Sequence, residues 1–192
     1  MTVPILGPAA DIVSDIPRGC GQCPRASRGT GVAAWLRPAS IDFPIVLTID
    51  RATRDAIVAH ARQDHPDEAC GVVAGPEGSD RPERFVEMIN AAGSPTFYEF
   101  DSTDLLQLYK EMDARDEEPV VVYHSHTATE AYPSRTDIGL AMEPNAHYVL
   151  VSTRENGNNE GQVEFRSYRI VDGEVTEEEV DIADQLPARS SA

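Results

Sequence analysis

The segment from Pro119 to Asp137 limits what this chain can fold into more than any other. Pro-Val-Val-Val-Tyr (119–123) is an apolar, β-branched run that reads as a buried strand, and it leads straight into His124-Ser125-His126. Side chains on a strand alternate faces, so His124 and His126 point the same way and can share one ion. A turn through Pro133 and Ser134 then brings Asp137 back from the start of the next element. The chain must therefore build a sheet in which one strand ends in two same-face imidazoles, with a carboxylate folded back towards them.

Two imidazoles and one carboxylate supply three ligands and leave a fourth tetrahedral position for water. That arrangement belongs to catalytic rather than closed structural zinc. Zinc lowers the pKa of its water from about 15.7 to roughly 7, which makes a nucleophile available near neutral pH. A base is still required. Glu68 is the candidate, in Asp67-Glu68-Ala69-Cys70-Gly71-Val72-Val73-Ala74-Gly75, where a helix ends and an apolar strand begins. Ser134 can donate its hydroxyl to a developing oxyanion. Ser134-Arg135-Thr136-Asp137 also reads as a helix N-cap, and the two roles are compatible.

Glu-Ala-Cys-Gly-Val-Val-Ala-Gly followed by His-Ser-His-x(7)-Ser-x-x-Asp resembles the JAMM (MPN-plus) metalloprotease signature. The resemblance runs from about Ile45 to Val180, and no motif residue departs from the pattern. Within that superfamily the chain is most similar to actinobacterial peptidases acting on a ubiquitin-like sulfur-carrier protein that bears a C-terminal cysteine. The resemblance implies one zinc per chain held by His124, His126 and Asp137, Glu68 as acid and base, and Ser134 as oxyanion donor. It implies hydrolysis of the Gly–Cys bond of a carrier ending Gly-Gly-Cys, with release of cysteine for cysteine biosynthesis. It also implies an α/β (α+β) fold, a single JAMM/MPN-like domain with a mixed, curved sheet flanked by helices. Two rivals remain at this stage. One is another JAMM hydrolase, cutting lysine isopeptides of ubiquitin-like conjugates or cell-wall peptides. The other is a non-catalytic scaffold of the same fold. The Thr127–Tyr132 loop, beside the ligands, is where substrate contacts are expected.

The formal charge of −17 argues against an electrostatic nucleic-acid partner. No apolar run approaches eighteen residues, and the N-terminus lacks a basic stretch leading into an apolar one, so the expectation is a cytoplasmic protein with no membrane partner. Residues 1–44 carry six prolines with little periodicity and read as a flexible extension; 45–183 is the expected domain, and 184–192 a loose tail. Cys20 and Cys23, in Cys-Gly-Gln-Cys, have no second ligand pair and read as incidental, although a redox or zinc-binding regulator working through them is a third rival. Cys70 reads as a small buried hydrophobe. His60, His65 and His147 read as satisfied surface or core residues. Sequence spacing leaves oligomeric state open.

The expected elements are a strand over 45–49, a helix over 51–63 capped by Asp50, and strands over 69–74, 84–89 and 96–100. A helix over 103–114, capped by Asp101 or Ser102, precedes the histidine strand at 119–124. A short helix over 136–142 follows, then strands over 147–152, 163–170 and 175–180, the last two joined by a hairpin turn at Asp172-Gly173.

Overall fold

The structure, a computed structural model, describes residues 46–154 and 163–186. The expectations for residues 1–44, including Cys20 and Cys23, lie outside the described residues. Strand β1 (Val46–Asp50) alternates, with Leu47 and Ile49 fully buried. Asp50 then caps helix α1 (Arg51–Asp64): its carboxylate accepts from the Thr53 amide at 3.0 Å and the Thr53 hydroxyl at 2.7 Å. The buried face of α1 is Thr53, Ile57, Val58, His60 and Ala61. Ala59 is exposed because the branched Ile57 and Val58 set the rotation of the helix against the sheet.

Strand β2 (Cys70–Pro76) is buried at every position but the last, and β3 (Arg84–Met88) pairs antiparallel with it. The expected strand over 96–100 does not form: Phe100 makes only an isolated bridge with Asn90. The Asn90 side chain bonds the Phe97 carbonyl and the Glu99 amide, groups that a strand partner would otherwise take. Helix α2 (Ser102–Asp113) is capped by Asp101. Strand β4 (Glu117–His126) carries the histidines, α3 (Arg135–Leu140) follows, and β5 (His147–Ser152), β6 (Glu164–Val171) and β7 (Glu174–Ala183) complete the chain order. Asp172 and Gly173 both have positive φ, as a tight hairpin between β6 and β7 requires.

The seven strands form one sheet in the order β1-β7-β6-β5-β4-β2-β3, parallel at β1/β7 and β4/β5 and antiparallel elsewhere. Helix α1 covers one face, where Leu47, Ile49, Ile57, Val73, Val121, Tyr123 and Val149 pack together. Two clusters cover the other face. One sets Leu108 and Met112 of α2 against Cys70 and Val72, and the other sets Ile138 of α3 beside Val122, Tyr148 and Leu150. Central strands buried on both faces explain the continuous apolar runs in the sequence. Gly71 sits where a methyl group would overlap the Tyr123 ring, so β2 can lie this close to that tyrosine only without a side chain there.

Candidate active site

The site lies where β4 and β5 end side by side. The parallel register pairs His124 with Leu150 and His126 with Ser152, and the Thr153 amide donates to the His126 carbonyl at 2.9 Å. Val122, His124 and His126 face α2 and α3, and Val121 and Tyr123 face α1, as strand alternation requires. The His124 and His126 Nε2 atoms are 3.2 Å apart, and each is 3.4 Å from Asp137 Oδ2. A tetrahedral N/N/O set with bonds of about 2.0–2.1 Å has edges of about 3.3–3.4 Å, so the three atoms stand where one shared cation needs them. Among the described residues, this is the cluster of His, Cys, Asp and Glu groups able to hold a metal.

The surroundings fix the donor set. His126 Nδ1 donates to the Glu130 carbonyl at 2.8 Å, with the Thr129 hydroxyl 3.0 Å away, which leaves the Nε2 lone pair aimed at the cluster. His124 is buried and its Nδ1 has no hydrogen-bond partner among the described residues; Tyr98 stacks on the ring at 4.5 Å between centroids. Burial holds His124 below the ordinary imidazole range, against the pull of Asp137. Burial also lowers His126, but its bonds to Asp137 and the Glu130 carbonyl outweigh this and raise it. Asp137 is pushed up by burial, yet the hydrogen bonds from both histidines hold it well below the usual carboxylate range.

Asp137 is placed by α3. The Ser134 hydroxyl accepts from the Asp137 amide at 3.2 Å, and the Ser134 amide donates to Asp137 Oδ2 at 2.6 Å, a reciprocal capping box. The N-cap reading of Ser134 therefore holds. Accepting a hydrogen bond leaves the hydroxyl proton free to donate elsewhere.

Glu68 arrives from the other side. The β2/β4 register sets Cys70 opposite His124, and Ala69 and Ser125 continue it by bonding each other, so Glu68 comes level with His126. Only 5 % exposed, its carboxyl is raised by burial to about 7, with His126 lowering it and Asp137 raising it. All five sequence-derived candidates thus converge: Glu68, His124, His126, Ser134 and Asp137. The Thr127–Tyr132 loop is more committed than its polarity suggests. Thr127 bonds the Pro95 carbonyl, Thr129 lies on His126, and the buried Ala131 is held through its amide by Glu164 and through its carbonyl by Tyr168. Sequence reasoning missed Tyr98, Asn90 and the pairing of Ser125 with Ala69, none of which leaves a local pattern.

The other histidines are satisfied, as expected for His60, His65 and His147; the exposed His65 meets the Thr153 hydroxyl at 3.2 Å. His60 Nδ1 meets the Tyr123 hydroxyl at 2.8 Å. His147 is held between Glu178 at 2.6 Å and Asp80 at 2.7 Å. Cys70 is a free, buried thiol, pushed up to about 12 by burial, which suits packing rather than nucleophilic chemistry. Among the described residues, no helix is long and apolar enough to cross a membrane.

Residues 50–171 match the family described as prokaryotic homologs of the JAB domain. The chain is 64% identical over 140 residues to the CysO-cysteine peptidase of Mycobacterium tuberculosis, covering 73% of this chain and 93% of that one. It is 31% identical over 111 residues to the desampylase of Haloferax volcanii, covering 55% and 80% respectively. A protein of Desulfitobacterium hafniense solved in solution superposes with a TM-score of 0.61 at 30% identity, covering 73% of this chain and 94% of that one.

Proposed function

This chain belongs to the family of prokaryotic homologs of the JAB domain and is a peptidase; on that premise we propose that it hydrolyses the C-terminal Gly–Cys bond of a ubiquitin-like sulfur-carrier protein. The observation that carries the hydrolytic chemistry is the convergence of His124, His126 and Asp137 Oδ2 within 3.2–3.4 Å, with Glu68 two residues before the adjoining strand β2. The substrate rests on the 64% identity to a CysO-cysteine peptidase across nearly that protein's whole length. The more distant desampylase also takes its name from action on another protein, and it keeps removal of protein modifiers as the alternative.

His124, His126 and Asp137 would hold zinc, one per chain; their nitrogen and oxygen donors and their spacing fit it. Bound there, zinc supplies Lewis acidity and a water made nucleophilic near neutral pH. Glu68 takes the proton of the attacking water and returns it to the nitrogen of the departing cysteine as the C–N bond breaks. The Ser134 hydroxyl, with its proton uncommitted by the cap, donates to the oxyanion formed from the scissile carbonyl. Tyr98 and the buried wall around His124 limit the water that reaches the ring face. The products are the carrier ending in Gly-Gly and free cysteine.

Residues 45–183 form the catalytic unit in this reading. The reaction belongs in the cytoplasm, a reducing compartment in which the free thiol of Cys70 and a free cysteine product both persist. The test is to mix zinc-loaded protein with a carrier ending Gly-Gly-Cys and follow intact mass. Loss of one cysteine residue, slowed by at least about 10³-fold in Glu68→Gln, is the expected result. Cleavage of lysine-linked carrier with no cleavage of Gly-Gly-Cys would replace this substrate with the alternative.

A further inference from the structure

Glu68 can serve as a base only if its backbone is held, and the structure supplies the clamp from an unexpected quarter. Asn90, just past the end of β3, donates from Nδ2 to the Glu68 carbonyl at 2.8 Å and to the Phe97 carbonyl at 3.2 Å. Its Oδ1 accepts from the Ala92 amide at 3.0 Å and the Glu99 amide at 3.1 Å. Both N–H groups and both lone pairs of the amide are thus used, which no other side chain of this size can reproduce. The loop that Asn90 organises closes back on Glu68, because the Ser94 carbonyl accepts from the Glu68 amide at 2.9 Å. The same loop carries Tyr98, stacked on His124. One side chain therefore ties the backbone of the candidate base to the loop lying over a candidate ligand.

We propose that Asn90 is a positioning residue of this enzyme, acting through Glu68 and the 91–99 loop rather than on substrate. The assignment rests on the reading of Glu68 as acid and base. Its chemistry is specific: the amide and carbonyl of Glu68 are both bonded by the 90–99 segment, and the amide and carbonyl of Ala69 are both bonded by Ser125. If either clamp goes, the carboxylate is free to swing off the line of proton transfer. A displacement of about 1 Å at a reacting group costs up to about 100-fold in rate.

The experiment compares Asn90→Asp and Asn90→Ala with wild type in the full-length zinc-loaded protein. Asn90→Asp keeps the acceptor for Ala92 and Glu99 but replaces the donor to Glu68 with an oxygen. The expected result is a fall in kcat of about 10–100-fold with KM within about threefold and zinc content unchanged. In a Glu68→Gln background, followed by residual turnover over long incubations, Asn90→Asp should cost nothing further, because the group it positions is already disabled. An equal, multiplicative loss in that background would overturn the assignment, as would wild-type kcat, or unfolding of both variants. A second readout does not depend on turnover. Amide exchange at Glu68 and Glu99 should quicken by about tenfold or more in Asn90→Ala while that of Val122 stays fixed. Failure of the wild-type protein to cleave any carrier would sink the functional reading alone. Unaltered exchange at Glu68 and Glu99 would sink the role of Asn90 whatever the substrate proves to be.

Discussion

Ser125 and Ala69 hold each other by two hydrogen bonds: the Ala69 amide donates to Ser125 Oγ at 2.9 Å, and the Ser125 amide donates to the Ala69 carbonyl at 2.9 Å. Ser125 is fully buried and lies between the two histidines. It thereby fixes how far Glu68, one residue before Ala69, stands from His126. Ser125→Ala should leave the Ala69 amide buried without a partner and lower stability by about 1–3 kcal/mol. Urea unfolding of the zinc-loaded protein checks this; a change below a few tenths would show that water reaches the amide.

His126→Ala should abolish stoichiometric metal binding, because it removes one of the three proposed ligands together with the proton donor to the Glu130 carbonyl. Metal content after dialysis is the measurement, and an unchanged one-to-one ratio would remove His126 from the ligand set.

Glu68→Gln should keep its metal and lose at least about 10³-fold in kcat. The titration of Glu68 offers a separate check. Burial raises this carboxyl to about 7, and a dication among His124, His126 and Asp137 should lower it by attraction. Carbon-detected NMR of Glu68 with and without zinc reads this directly; a value that rises on metal addition would contradict the placement.

Ser134→Ala separates two roles. Loss of the cap alone should cost about 1 kcal/mol of stability and leave the chemical step almost intact. Loss of an oxyanion donor should lower kcat by roughly 10²–10³. Single-turnover rates under zinc saturation distinguish the outcomes, and the larger fall is expected.

His147 predicts a pH signature away from the reaction. Burial alone would lower this imidazole, but its bonds to Asp80 and Glu178 raise it above 6.5, while Asp80 and Glu178 end up below their ordinary values. The His147 contribution is full below pH 6.5 and fades as pH climbs through the raised folded value. The two carboxylates contribute above their ordinary range and fail only as pH falls through their depressed values. The stability gap between wild type and His147→Gln should therefore narrow from pH 6 to pH 10. A constant gap across that range would mean that packing, not charge, holds this network.

The histidine strand was legible because a β-branched run and period-two alternation are local signals, and the structure keeps both in β4. Caps were legible for the same reason at Asp50, Asp101 and Ser134. The 96–100 segment misled because Tyr98 and Phe100 alternate like strand residues. Both face inwards from a loop, Tyr98 onto His124 and Phe100 between two core clusters. Asn90 was invisible because its four bonds reach from residue 68 to residue 99, and hydrogen bonds between distant segments leave no periodicity to read. The catalytic candidates were read from the His-x-His strand, the Ser-x-x-Asp turn and the segment before β2, and the family resemblance implied the same roles. The side chains that orient them had to await the fold.

Strand β1 lies at one edge of the sheet, and its neighbour is β7, paired from Val46↔Glu179 to Asp50↔Ala183. A nascent polypeptide leaving the ribosome therefore carries β1 without its β7 partner until almost all of the described residues have been synthesised. Strand β2, which follows Glu68, and β4, which carries the two histidines, meet much earlier, and the candidate metal pocket is assembled while β1 still waits for β7.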